Sequence, residues 1–191
     1  MKKEVVDDAI KVLREAINAI KTERHIELHS ISNHILHAIA LYQEPDLMDL
    51  AVAIYSIDKI LEDEKFKTHP KMPLFKKVVS TSLENAIELL ENEKFNAYEA
   101  SIRALLSNIE GFSKAIRFYI EDVIHFARIK KGTRLYEHGL TLGKAAELAR
   151  VTKWELLPSI GETATHEKMP QEIPVTYRLK ELERLFGGKH G

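Results

Sequence analysis

The sequence predicts an all-α protein. Three observations carry that prediction. Apolar residues recur at intervals of three and four, and no alternating strand pattern bounded by turn residues is sustained. Only 8 Gly and 6 Pro occur in 191 residues, and they fall in clusters. The expected architecture is an N-terminal helical bundle of about five helices over 1–130. A helix-turn-helix unit and a short C-terminal amphipathic helix follow within 131–191.

The elements follow in order. Val6, Ala9, Ile10, Leu13, Ile17 and Ile20, then Leu28, Ile31, Ile35 and Ile39, line one face of two helices between Lys3 and Gln43, or of one helix bent near Lys21–His25. Pro45-Asp46 makes a turn, with Asp46 placed to cap the next helix. The segment Leu47–Glu62 is apolar nearly all round, which predicts a central helix. Phe66–Pro73 holds two prolines and reads as a loop, with Pro73 opening a helix to about Glu93. Asn96 then caps a long helix through Leu105, Phe112, Tyr119 and Phe126. Gly111 inside it implies a close contact or a bend, because glycine costs roughly 1 kcal/mol in a helix.

Composition narrows function. Without cysteine there is no disulfide, no Cys-based zinc site and no thiol nucleophile. With 28 Lys+Arg against 29 Asp+Glu, the chain is not a uniformly basic nucleic-acid coat. The N-terminus has no apolar run of signal-peptide length, and the longest apolar stretch falls far short of a membrane span. The chain therefore reads as soluble and cytoplasmic. No Gly-rich phosphate loop, GxSxG elbow or strand-end carboxylate pair occurs, and no cofactor is implied.

One segment carries most of the functional information. Gly139 ends a helix, Thr141 can cap the next, and Leu142–Ala149 is short, with small Ala145 where two helices approach. Arg150-Val151-Thr152 forms a tight turn, and Thr152 caps a second helix whose Leu156 and Ile160 face back with Val151 onto Ala145 and Leu148. This is the spacing of a helix-turn-helix. Arg150 stands where glycine is usual, at a steric cost if the backbone is left-handed. Pro158 should shorten or kink the second helix after about one turn. The competing reading is a purely structural helical hairpin. Trp154 could contact DNA, or pack against Leu157 or the preceding helix.

Residues Leu135-Tyr136, Gly139–Ala149 and Val151–Leu157 together resemble a small prokaryotic family of predicted antitoxins containing a helix-turn-helix domain. The run LGKAAELA followed by Trp-Glu carries the likeness, which covers roughly 30 residues. The resemblance implies DNA-linked regulation.

Charge decides how such a unit would meet DNA. Over 133–162, Arg134, Lys144, Arg150 and Lys153 are balanced by Glu137, Glu147, Glu155 and Glu162. Upstream, Lys114, Arg117, Arg128, Lys130 and Lys131 outnumber Glu121 and Asp122. A basic surface joining the two places Lys153 and Ser159 in the groove, with Lys130, Lys131 and Arg134 on phosphate. Thr141, Lys144 and Thr152 complete the expected DNA-binding set. The competing reading is a solvated face with helix-end charges. A homodimer through the bundle would engage two sites together.

His25, His29, His34 and His37 crowd one helix with Ser30 and Asn33. His25, His29 and His37 share a stripe that could chelate a divalent metal, but a carboxylate ligand is unassigned. A polar seam between helices is the alternative. Arg24 and His29 also resemble the Arg-x4-His element of helical ribonuclease domains of toxin systems. That likeness implies a cation on the phosphate and an imidazole moving protons. Asp58, Glu62, Asp63 and Glu64 read as solvated surface or, less simply, a metal site. Leu179, Leu182, Leu185 and Phe186 give the tail an apolar face that packs on the hairpin or enters a partner's groove. A non-catalytic interaction protein is the alternative to the DNA-binding regulator.

Overall fold

A computed structural model describes residues 1–42, 45–115 and 123–166. The C-terminal helix expected over Ile173–Phe186 lies outside the described residues. Within them the chain is helical, with no strand: α1 Lys3–Lys21, α2 His25–Tyr42, α3 Pro45–Glu62, α4 Glu64–Lys67, α5 Met72–Glu91, α6 Phe95–Ala115, α7 Val123–Glu137, α8 Leu142–Ala149 and α9 Lys153–His166.

The chain breaks between α1 and α2, where Glu23 takes a left-handed φ of 57°. The Arg24 N–H then donates back to the Ala19 carbonyl at 3.0 Å, the closure that terminates a helix without continuing it. Glu93 (φ 55°) repeats the device after α5, with Lys94 N–H on the Leu89 carbonyl at 2.9 Å. Neither end has glycine, so each carries the Cβ penalty of the left-handed region, ~1–2 kcal/mol.

Four boundaries differ from expectation. The stretch 66–73 is not all loop, because α4 takes in Phe66 and Lys67 and α5 starts at Met72. Pro73 falls in the first turn of α5, where its missing N–H is harmless. Neither Asp46 nor Asn96 precedes its helix; each lies in the first turn, since α3 starts at Pro45 and α6 at Phe95. A Cβ on Gly111 would meet no described atom within 4 Å, so no close contact is found there.

The nearly all-apolar α3 occupies the middle, packed by α2, α6, α7, α4 and α8. From Leu47 to Leu61 every residue except Lys59 is buried. Each fully buried Leu or Ile here, such as Leu50, Ile54 and Ile57, contributes ~1.5–3 kcal/mol. The α1 face of Val5, Val12, Leu13, Ala16 and Ile20 closes against α5 and α2. Amphipathic spacing thus builds an outer layer around one saturated helix.

α8 and α9 rest on this core mainly through α7, with α8 also touching α3. The α7 helix packs on α2 and α3 on one side and on α8 and α9 on the other. The expected division after residue 130 falls inside α7. Gly132 makes the close approach: a Cβ there would stand 2.9 Å from Ala149 Cβ and 2.8 Å from Leu156 Cδ2. Asp49 of α3, 4% exposed, receives Arg128 Nη2 at 2.9 Å and Arg150 Nη1 at 2.7 Å. One carboxylate therefore ties α3 both to α7 and to the turn between α8 and α9.

Candidate functional site

The α8–α9 hairpin forms as its residues demand. Gly139 (φ 91°) ends α7, and the Leu140 N–H closes onto the Leu135 carbonyl at 3.2 Å. Thr141 Oγ1 accepts from the Lys144 N–H at 3.2 Å, capping α8. Arg150 is left-handed (φ 56°, ψ 45°), the strained conformation its position implied, and its guanidinium is held by Asp49. Thr152 and Glu155 make a reciprocal capping box: Thr152 Oγ1 accepts from the Glu155 N–H at 3.2 Å, and Glu155 Oε2 accepts from the Thr152 N–H at 2.6 Å. The Thr152 hydroxyl, donating to Glu155 Oε2 at 2.6 Å, and then the Thr152 N–H hold the Glu155 carboxyl below its usual range. Leu156 is fully buried, while Val151 and Ile160 pack at the core's edge with Ala145 and Leu148 inside it.

Two expectations at α9 are corrected. Pro158 does not shorten the helix to one turn, since α9 runs on to His166. The carbonyl that loses its helical partner is that of Trp154, because proline has no N–H to donate. Trp154 does not pack inward; it is 81% exposed, with Leu157 and Pro158 exposed beside it.

The expected DNA-facing residues divide. Lys153 is exposed, its Nζ passing over Gly143, 3.6 Å from where a Cβ would stand. No ion pair to it occurs among the described residues. Lys144 pairs with Glu147 at 3.0 Å and Arg134 with Glu137 at 2.8 Å. Lys130 is half-buried with its ammonium 5.3 Å from the Phe126 ring. Thr141 and Thr152 spend their side chains on caps, and Ser159 is half-buried. Arg128 turns inward to Asp49, which removes it from the expected basic surface. Lys131 is the clear correction: at 1% exposure it cannot touch a DNA phosphate.

Lys131 belongs instead to a polar cluster at the junction of α2, α3 and α7. Its Nζ donates to Asn33 Oδ1 at 2.9 Å and lies 4.4 Å from the centre of the Tyr55 ring. Burial pulls the ammonium down to about 7, against the nearby charge of Asp58 and with help from Arg134 and Lys59. Asp58 is buried too, so it leaves the acidic surface group expected with Glu62, Asp63 and Glu64, which are exposed. Burial pushes its carboxyl up to about 6. His29 Nδ1 sits 3.6 Å from Asp58 Oδ2, and its ring lies 5.7 Å from Tyr55. Burial, then Lys131, Lys59 and Arg134, lower the imidazole's pKa.

The histidine stripe is a seam between helices. Asn33 meets Lys131, and the His37 ring meets His138 edge-on at 5.9 Å. Among the described residues, no group of three or more His, Asp or Glu converges as a metal site. The side chain of His25 lies outside them. Arg24 and His29 line the same cleft, but Arg24 donates to Glu27 at 2.8 Å and to Thr22 Oγ1 at 3.1 Å.

The two buried groups set opposite pH limbs. Between about 7 and 10.5 the unfolded chain binds the proton that folded Lys131 has released, so stability rises with pH there. Between 3.8 and about 6 folded Asp58 holds the extra proton, so stability falls as pH rises. Lys131→Met should erase the upper limb and be more stable than the parent at neutral pH by about 1–4 kcal/mol. Urea unfolding across both ranges checks this; a parent curve that does not rise above neutrality contradicts it.

Among the described residues, no helix is long and apolar enough to cross a membrane. Comparison with known proteins finds no family model, no curated protein and no solved structure that matches the chain. The likeness of the hairpin to predicted antitoxins therefore rests on its own residues.

Proposed function

We propose that the protein is a DNA-binding regulator that presents α9 to the major groove. The observation that supports this reading best is the protruding start of α9, where exposed Lys153 and Trp154 follow a capped turn on a three-helix base. Helix-turn-helix proteins read bases with the first residues of that helix. The pairs Lys144–Glu147 and Arg134–Glu137 are surface i,i+3 contacts, worth ~0–1 kcal/mol, and exchange readily for phosphate. Lys130 and the N–H groups at the start of α8 complete a modest phosphate-facing edge. Glu155 opposes it, although His125 Nε2 lies 3.3 Å away and offsets that charge when protonated. Binding by one such unit is weak, so a homodimer engaging two half-sites fits the reading.

The test is anisotropy of a labelled duplex DNA at low salt. Lys153→Glu combined with Lys144→Glu should weaken retention about tenfold or more and flatten the salt dependence. Unchanged retention removes the regulator reading. One observation favours a second reading, a protein-docking role: Trp154, Leu157 and Pro158 form an exposed apolar stripe. Under it, Trp154→Ala removes partner binding while the double charge reversal leaves it intact.

A further inference from the structure

The outer face of α9 carries an apolar stripe. Trp154 is 81% exposed and Leu157 42%, with Pro158 and Gly161 exposed at the spacing of one helix face. A Cβ on Gly161 would meet no described atom within 4 Å, so a second helix could approach closely there. Single exposed apolar residues are ordinary, whereas a contiguous row of them marks a contact surface.

The chain continues into a segment of matching form. Beyond His166, residues 167–174 include Pro170 and Pro174. Val175, Leu179, Leu182 and Phe186 then recur at the period of an amphipathic helix, with Gly187 after them. Pro174 suits a helix start and Gly187 a helix end. A helix over 175–186 would be about 18 Å long, against about 21 Å for the 14 residues of α9. Residues 167–174 can span at most about 26–29 Å. That is ample to reverse direction across the ~8–10 Å between packed helices.

We propose that residues 175–186 form a helix that docks antiparallel on the Trp154, Leu157 and Pro158 stripe of the same chain and restrains access to the start of α9. In this arrangement Phe186 and Leu182 cover Trp154, Leu157 and Pro158, and Leu179 lies over Gly161. Arg178 comes to the C-terminal end of α9, where unpaired carbonyls favour a cation. A tethered segment meets the stripe at an effective concentration on the order of millimolar, which favours it over a separate partner. The restraint on DNA rests on the DNA-binding reading above; the docking does not.

Trp154 is the single tryptophan, so its fluorescence reports the contact in the full chain. Acrylamide should quench the parent weakly at every protein concentration. Quenching should be several-fold stronger in Leu182→Ser combined with Phe186→Ser, a variant that leaves the charge unchanged and the core untouched. Circular dichroism checks that the bundle remains folded. Apparent affinity scales with the fraction of open molecules, so the variant should hold labelled duplex DNA about tenfold more tightly at low salt. Equal quenching of parent and variant overturns the docking, and shielding that disappears on dilution assigns the stripe to a second copy instead. Unchanged DNA retention in a variant whose Trp154 is released overturns the restraint. Release of Trp154 with no DNA retained by either protein upholds the docking and removes the regulator reading alone.

Discussion

Replacing Asp49 by alanine should destabilise the protein by about 3–5 kcal/mol, the usual consequence of stranding a buried charge. The carboxylate is 5% exposed and faces two guanidinium groups, Arg128 at 15% and Arg150 at 43%. Arg128 would lose its carboxylate partner while still half-buried. Arg150 would lose the contact that helps hold a left-handed backbone at φ 56°. Asp49→Asn keeps an acceptor and should recover part of the loss. Urea unfolding of both variants measures the difference, and a cost below about 1 kcal/mol for the alanine would mean that the pair is no tether.

Gly132→Val carries the second large effect. The methyl groups would enter space already held by Ala149 and Leu156, with contacts of 2.9 and 2.8 Å at the Cβ alone. Leu156 is fully buried and has no room to retreat. Overpacking of this kind costs about 3 kcal/mol or more, and a β-branched residue gains little helix propensity in return. Gly132→Ala should lose less, because ~1 kcal/mol of helix propensity offsets the clash. Gly111→Ala serves as the control, since no described atom lies within 4 Å of a Cβ there and the propensity gain remains. Thermal melts of the three variants should rank in that order. A Gly132→Val protein as stable as the parent would show that α8 and α9 do not dock as described.

The fold was legible where one helix face or one cap decided the outcome. The saturated run of α3 could only be central, and Gly139, Thr141 and Thr152 marked the hairpin through local bonds. Elsewhere the deciding partner lay far along the chain. Asp49 reaches Arg128 across 79 positions and Asn33 reaches Lys131 across 98, separations that leave no periodic trace. Lys131 consequently read as a surface cation able to contact phosphate, beside Lys130 and Arg134. Glu23 and Glu93 end helices without glycine, so the breaks near Lys21–His25 and Glu93 were legible from the apolar spacing alone, and their left-handed backbone was not. Trp154 misled in the opposite direction: a large aromatic suggests burial, but its neighbours Lys153, Leu157 and Pro158 share the outward face.

The arrangement around α7 has a geometric consequence. That helix is foundation and lintel at once, continuous through the place where a linker would otherwise run. Because α8 and α9 pack on α7, and α7 packs on α2 and α3, the pitch of α9 is set by that packing. Under the proposed DNA-binding reading, a symmetric pair would hold the two helices at a span set by how the bundles meet, and half-sites spaced otherwise would be refused.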